Sequence, residues 1–97
     1  MLVLNVTFKC APGRREEFRE LIRAEGIDTA SRNEDGNYKY DLYLSTEDPD
    51  DILLVEFWKD VPTWQYHRTL PHYAKLGEIT QEFVIDKTIQ KSFTEEE

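Results

Sequence analysis

The chain is short of the residues that several common classes of protein depend on. Cys10 is its only cysteine, so an internal disulfide bond and a thiolate metal cage are both excluded. It has no apolar run of the roughly 18 residues that a membrane-spanning helix needs, and no secretory leader pattern. This predicts a cytoplasmic protein with no membrane partner. Its 12 basic residues are outnumbered by 20 acidic ones, and the net charge of −8 argues against a nucleic acid partner.

What the chain does contain is typical of one small globular domain. Of its 97 residues 39% are hydrophobic and 12% aromatic, which predicts a single domain over residues 1–97. We expect an ordered core at about 2–93 and a charged tail at 94–97. A domain of this size buries only roughly 60–65% of its unfolded surface, so pairing with a second copy would add stability.

The spacing of the apolar residues predicts four strands and three helices. Alternating patterns place strands at 2–9, 38–45, 52–59 and 84–93, and helical patterns cover 14 to about 30, 62–68 and 71–83. Gly26 lies inside the first helical pattern, and we expect the helix to fray or bend there. The order β-α-β-β-α-β predicts a ferredoxin-like α+β fold, with the helices on one face of an antiparallel sheet.

The alternation within each strand also leads to an expectation for the two faces of the sheet. We expect the helices to cover one set of side chains, namely Leu4, Val6, Phe8, Leu42, Leu44, Val55 and Phe57. The other face would then display Asn5, Thr7, Asp41, Tyr43, Glu56 and Trp58. Such a mixed aromatic and polar surface predicts a homodimer that packs sheet to sheet and encloses a cavity.

Both tryptophans and both histidines lie within residues 57–73. His67 falls near the end of the predicted short helix, and we interpret it as a general base because the pKa of imidazole lies near neutrality. His72 begins the next helix and is a candidate proton relay or oxyanion donor. Local capping is the alternative for both. The two histidines are five residues apart with Pro71 between them, a poor spacing for metal ligation from one face of a helix, so no metal site is expected.

The predicted inner face supplies further candidates. Asn5 can donate to a substrate oxygen or serve as a structural amide, since a buried amide needs a partner either way. Glu56 can orient His67, act as the base itself, or pair with an arginine such as Arg32 or Arg68. Possible substrate-binding side chains, which are equally compatible with a role in the core, are Trp58, Tyr43, Trp64, Thr7 and Tyr73.

Four short motifs occur in register along nearly the whole chain. They are Thr-Phe-Lys-x-x-Pro-Gly at 7–13, Tyr-Asp-Leu-Tyr at 40–43, Glu-Phe-Trp-Lys-Asp at 56–60 and His-x-x-x-Pro-His-Tyr at 67–73. In this order the chain resembles the antibiotic biosynthesis monooxygenase family. The resemblance implies a homodimeric α+β barrel with a pocket in each subunit between its sheet face and its helices.

The resemblance implies several activities. Similar proteins include cofactor-independent quinol monooxygenases and an isomerase that processes a phosphorylated autoinducer-2 derivative and carries a similar His-x-x-x-Pro-His-Tyr run. Haem-degrading relatives use an Asn on the first strand, a Trp on the short helix and a haem-ligating His on the next helix. Asn5 matches the first of these, but His67 stands in place of the Trp and Gly77 in place of the ligand. Without that ligand, haem degradation is not expected.

The function predicted from these features is oxygenation of a small electron-rich aromatic such as a quinol. A base removes a proton, and the substrate anion then reacts with O2 without a cofactor. Lys9 and Lys39 are the only cations on the predicted inner faces, which favours a neutral aromatic over a phosphorylated substrate. The isomerase activity remains an alternative, as does a dimeric binding or stress-associated module without catalysis.

Overall fold

The computed structural model describes residues 1–94 as a four-stranded antiparallel sheet with four helices. The elements are β1 (Leu2–Cys10), α1 (Arg15–Ala24), α2 (Ile27–Arg32), β2 (Asn37–Leu44), β3 (Asp51–Trp58), α3 (Val61–His67), α4 (Pro71–Phe83) and β4 (Val84–Phe93). The strand order is β2-β3-β1-β4, and this confirms the ferredoxin-like α+β class. Most of the predicted charged tail, residues 95–97, lies outside the described residues.

The predicted first helix is interrupted where the glycine stands. Gly26 adopts φ +69°, a left-handed conformation that glycine reaches without a steric penalty, and it separates α1 from α2. The helix is thus interrupted at the position where it was expected to fray or bend. α1 buries Phe18 and Ile22, and α2 buries Ile27 and Ser31 against the sheet side of the molecule.

The core lies between the helices and one face of the sheet. On β1 the alternate residues Leu2, Leu4, Val6, Phe8 and Cys10 are all buried. The ring of Phe8 packs edge-on against Phe18 at 5.3 Å between centroids, and Phe18 in turn lies 6.2 Å from Phe83. Fully burying such a side chain contributes roughly 1.5–3 kcal/mol, so this layer fixes which face of β1 points inward.

The pairing of β1 with β3 corrects the expected arrangement of the two faces. Leu4 lies opposite Glu56, and Asn5 lies opposite Val55. Because residues that face each other across a strand pair project from the same side of the sheet, Glu56 lies beneath the helices with Leu4. The expectation that the helices cover Val55 was wrong, and so was the placement of Glu56 on the side of Asn5.

The cause of the error is that β3 is apolar on both faces. Ile52 and Leu54 are buried under the helices, while Leu53, Val55 and Phe57 are half-buried on the other side. Periodicity alone cannot rank two apolar faces, and a shift of one residue exchanges them. Which face of β3 lies under the helices is determined by its register with β1 and β2.

The face without helices, called the open face below, carries Val3, Asn5, Thr7, Asp41, Tyr43, Leu53, Val55 and Phe57. Most of these side chains are half-buried, and Tyr43 is 45% exposed. Within residues 1–94, no helix combines the length and the apolar character needed to cross a membrane.

Candidate functional site

The site is built at the corner between α3 and α4. The Asp60 carboxylate caps α3 by accepting a hydrogen bond from the backbone N–H of Thr63 at 2.9 Å. Leu70 precedes a proline and is extended (φ −88°, ψ 153°), because the α conformation is disfavoured at that position. The chain therefore turns between the two helices. His67 at the end of α3 and His72 at the start of α4 come to lie 5.5 Å apart between ring centroids.

Both histidines contact a carboxylate that the sequence analysis missed. Glu34 Oε2 lies 2.5 Å from His67 Nδ1 and 2.7 Å from His72 Nε2. The Glu34 side chain is only 9% exposed. The two imidazoles share this partner because they belong to two helices and do not need to lie on one face of a single helix. In the sequence, Glu34 had the pattern of an ordinary turn residue before Gly36.

Gly36 explains why Glu34 comes so close to α3. Its φ is +86°, and a Cβ at this position would lie 2.6 Å from Thr63 Cγ2. The backbone N–H of Lys59 also donates to the Gly36 carbonyl at 2.8 Å. Only glycine allows this approach, and the loop before β2 is thereby held against the helix that carries His67.

The contact with Glu34 fixes the orientation of His67. A carboxylate accepts hydrogen bonds, so Nδ1 of His67 carries the proton and Nε2 is left as an acceptor. Nε2 points toward Glu56, whose Oε1 is 4.0 Å away. Burial lowers the pKa of His67, and the hydrogen bond and charge of Glu34 only partly oppose this effect. His67 is 2% exposed, and the lowered pKa favours its neutral form.

Glu56 is the second buried carboxyl of the site. It is 6% exposed, and its Oε1 accepts a hydrogen bond from Trp58 Nε1 at 3.0 Å. Burial raises the pKa of Glu56 to about 7, an effect that the Trp58 hydrogen bond and the charge of Lys87 partly counteract. The group therefore titrates in the range that general acid–base chemistry uses.

Neither arginine considered as a partner for Glu56 contacts it. Arg32 donates from Nε to the Tyr40 carbonyl at 2.9 Å and lies near Asp28. The Arg68 guanidinium lies 5.0 Å from the ring centroid of Trp64. The predicted ion pair with Arg32 or Arg68 is therefore not found, and Glu56 is left available to the site.

Aromatic rings surround His67 on several sides. Ring centroids lie 4.6 Å away for Trp58, 5.3 Å for Tyr73 and 6.1 Å for Tyr40. Burial raises the pKa of Tyr40 above its ordinary value, so its hydroxyl stays protonated. These side chains form a water-poor surrounding in which charges on His67 and Glu56 interact strongly.

A small cavity opens beside Glu56 and His67, bounded by Tyr40, Trp64, Tyr73 and Lys87. Its volume is about 30 Å³, enough for one water molecule and too small for an aromatic ring. The cavity lies between the sheet and the helices. Of the cations, Lys87 lines this cavity, whereas Lys9 and Lys39 project from the open face, where Lys9 pairs with Asp48 at 2.8 Å. Lys9 and Lys39 thus lie on the face predicted for them, but the cavity lies on the other face and its cation is Lys87.

The structure separates the predicted site residues into two groups. Around His67 it gathers His72, Glu56, Trp58, Trp64 and Tyr73. Three others, Asn5, Thr7 and Tyr43, lie on the open face, on the opposite side of the sheet. The expectation that these three share one chamber with His67 was wrong. The group around His67 also contains Glu34, Tyr40 and Lys87, which the sequence did not predict.

This fold and site define a ferredoxin-like α+β domain with an acid–imidazole cluster beneath its helices. The sequence model of the family described as "Antibiotic biosynthesis monooxygenase" matches residues 1–78, and the chain belongs to this family. The resemblance inferred from the motifs is thus confirmed.

Individual relatives agree with this assignment. The chain is 34% identical over 73 residues to the protein named "Putative monooxygenase YcnE" of Bacillus subtilis (strain 168), a match that covers 75% of each. Among solved structures, Rv0793 of Mycobacterium tuberculosis is 26% identical with a TM-score of 0.86, covering 99% of this chain and 96% of its own. PA3566 of Pseudomonas aeruginosa shares the fold at 24% identity and a TM-score of 0.87, covering 98% and 94%. The family match and the name of the Bacillus subtilis relative support a monooxygenase-type function, whereas the two solved structures show the fold.

Proposed function

We propose that the protein is a cofactor-independent monooxygenase for a small electron-rich dihydroxyaromatic of the quinol type, with His67 as the base. One observation carries the proposal. Glu34 holds Nδ1 of His67 at 2.5 Å, so that the acceptor nitrogen Nε2 is directed toward Glu56 and the cavity. A fixed neutral imidazole in an aromatic surrounding is what proton removal from a phenol requires.

The first step is proton transfer from a substrate hydroxyl to His67 Nε2. The 4.0 Å between Nε2 and Glu56 Oε1 leaves room for one hydroxyl oxygen at a hydrogen-bonding distance of about 2.8 Å from each. The imidazolium that forms is stabilised by the Glu34 carboxylate at Nδ1. His72, 17% exposed and bonded to the same oxygen, is a positioning residue and connects the cluster to solvent.

The substrate anion then supplies the electrons. It transfers one electron to O2, and the resulting radical pair combines, forming a C–O bond and a ring hydroperoxide. The O–O bond breaks as the ring carbon loses its proton, a new C=O forms, and water leaves. Quinol and O2 thereby give a hydroxyquinone and water. Glu56, with a pKa of about 7, is in its protonated form often enough to donate to the departing oxygen.

Entry of the substrate requires a wall to move, because the cavity of about 30 Å³ does not hold a ring. Trp64 is half-buried at the rim, and its ring lies 4.5 Å from Lys91 Nζ and 5.0 Å from the Arg68 guanidinium. Across from Trp64, the cavity is lined by two exposed residues of β4, Lys87 and Ile89. We therefore place the entrance at Trp64, between α3 and β4.

The open face is assigned to a homodimer. It carries the half-buried apolar side chains Leu53, Val55 and Phe57 together with Tyr43. A contiguous face of this kind is commonly covered by another protein. In this proposal Asn5, Thr7 and Tyr43 contact the second copy and not the substrate.

The position of Lys87 favours a second candidate function, an isomerase. Its position on the cavity wall suits an anionic substrate, as expected for an isomerase that moves a proton in a small phosphorylated ketone. The same His67 would act as the base. Oxygen uptake distinguishes the two reactions, because the isomerase consumes none.

The test is oxygen consumption over a panel of hydroquinones, with product analysis. We expect wild-type protein to consume one O2 per quinol, His67→Ala to lose the activity, and the exposed-site control Tyr66→Phe to retain it. Unchanged turnover in His67→Ala would remove His67 from this role. A product formed without oxygen uptake from a phosphorylated ketone would favour the isomerase.

A further inference from the structure

Three side chains at the corner between α3 and α4 bring metal-binding atoms together. The nitrogen or oxygen atoms offered by Glu34, His67 and His72 all lie within 4.8 Å of one another. This is the one such group found in residues 1–94. Two imidazoles and one carboxylate form a ligand set that zinc and non-haem iron sites use.

The carboxylate has unused capacity. The Glu34 side chain is only 9% exposed, and its buried Oε1 has no hydrogen-bond partner. Over the part of the chain that the structure describes, the only ion-pair partners of Glu34 are the two histidines, with no lysine or arginine. A buried carboxylate is costly without a compensating cation. A divalent metal ion would supply this charge and could also engage the second oxygen.

The contacts between Glu34 and the two histidines are shorter than the distances between ligand atoms around a bound metal ion. Ligand atoms around a tetrahedral ion with bonds of about 2.0–2.1 Å lie roughly 3.3 Å apart. The contacts of Glu34 Oε2 with His67 and His72, at 2.5 and 2.7 Å, would lengthen by less than about 1 Å. A depression lined by Glu34, Thr63 and Tyr66 leads from solvent to the carboxylate, and His72 is 17% exposed.

We propose that Glu34, His67 and His72 bind a divalent transition metal ion such as Zn²⁺, and that binding withdraws His67 from its role as a base. The second half rests on the proposed function. A metal on Nδ1 takes the lone pair of that nitrogen, so the single proton of the neutral imidazole moves to Nε2. Nε2 then donates a hydrogen bond toward the cavity and no longer accepts a proton from the substrate. The metal-free protein is the active form.

Binding is tested with Co²⁺, whose visible absorption reports imidazole and carboxylate ligation. The chain has only two histidines, so an imidazole signal has no other source. We expect one Co²⁺ per chain, displaced by Zn²⁺ and not by Mg²⁺. Glu34→Gln and His72→Gln should each weaken binding by more than the roughly 10–100-fold typical for loss of an outer-shell partner. Glu20→Gln, an exposed carboxylate on α1, is the matched control and should bind as wild type.

The consequence for His67 is read by nitrogen NMR of the wild-type protein, which needs no variant to fold. On addition of Zn²⁺ the His67 Nε2 resonance should change from that of an acceptor nitrogen to that of a protonated one. Oxygen uptake with a hydroquinone should fall in proportion to metal occupancy and return with a chelator.

The outcomes separate this inference from the proposed function. Absence of stoichiometric Co²⁺ binding, or binding by both glutamine variants that is as tight as that of wild type, would overturn the metal site. Turnover that is unaffected at saturating Zn²⁺ would overturn the inhibitory role. Metal binding with a protonated Nε2, in a protein that oxidises no hydroquinone, would support the metal site while counting against the monooxygenase.

Discussion

The indole of Trp58 donates from Nε1 to Glu56 Oε1 at 3.0 Å, in the layer directly below His67. The ring centroids of Trp58 and His67 are 4.6 Å apart. One side chain therefore supports the imidazole with its face and the carboxyl with its N–H. Burial nevertheless dominates at Glu56 and raises its pKa to about 7.

Stability should fall with rising pH on account of Glu56. Its pKa rises from an ordinary 4.5 to about 7 in the folded state, so the folded protein holds a proton that the unfolded chain has released. The contribution is complete below pH 4.5 and is lost as the pH passes through 7. At about 1.4 kcal/mol per pKa unit the change is of order 3 kcal/mol. Urea unfolding from pH 5 to 8 should show a flatter profile for Glu56→Gln than for wild type or for Glu78→Gln, an exposed control. Parallel profiles would contradict the assignment.

The protein should keep its kcat/KM for a hydroquinone at mildly acidic pH because of His67. Burial lowers its pKa below the ordinary 6.5, and a depressed pKa keeps the imidazole neutral at pH values where a free histidine is charged. The acid limb of kcat/KM for a hydroquinone should therefore lie below pH 6.5, measured with a chelator present. A limb above pH 6.5 would assign the base to another group.

Glu34→Gln should reduce turnover by roughly 100-fold or more, the scale of general-base catalysis. The carboxamide can donate to Nδ1 of His67, which would place the imidazole proton on Nε2 and remove the acceptor from the cavity. Steady-state kinetics should show the loss mainly in kcat. His72→Gln serves as the comparison and should lose less, since Nδ1 of His67 keeps its carboxylate. Equal losses would mean that the cluster acts only by holding the helices.

Two glycines offer a matched test of the approach between the loop and α3. Gly36→Ala introduces a Cβ 2.6 Å from Thr63 Cγ2 at φ +86°, so we expect destabilisation of more than about 1 kcal/mol. Gly77 lies in α4 with no atom within 4 Å of an added Cβ, and Gly77→Ala should stabilise by about 0.5–1 kcal/mol. Urea unfolding of both variants measures the difference. Equal effects would show that the loop is not held by this contact.

The proposed dimer is tested on the open face. Val55→Lys places a charge among half-buried apolar side chains without touching the core beneath the helices. Analytical ultracentrifugation should show dimeric wild-type protein and a monomeric variant, because an unpaired charge is costly to bury. Tyr66→Lys, at an exposed position of α3, should leave the assembly unchanged. A monomeric wild type would refute the dimer.

The elements of the fold were predictable because local signals determine them. Pro71 and the extended Leu70 before it mark the helix boundary, and α4 has the predicted bounds of 71–83. The choice of faces was not predictable, since β3 is apolar on both sides and its register depends on pairing over distance. Glu34 was missed for a related reason. Its contact with His67 spans 33 residues, and no local pattern distinguishes it from a turn residue.

α3 has seven residues, too few to persist as an isolated helix in water. It is held by its Asp60 cap, by the close approach of Gly36, and by the Glu34 carboxylate at its last residue. Trp64, at the proposed entrance, belongs to the same seven residues. Fraying of these roughly two turns would open the route to the cavity and release His67 from Glu34 at the same time.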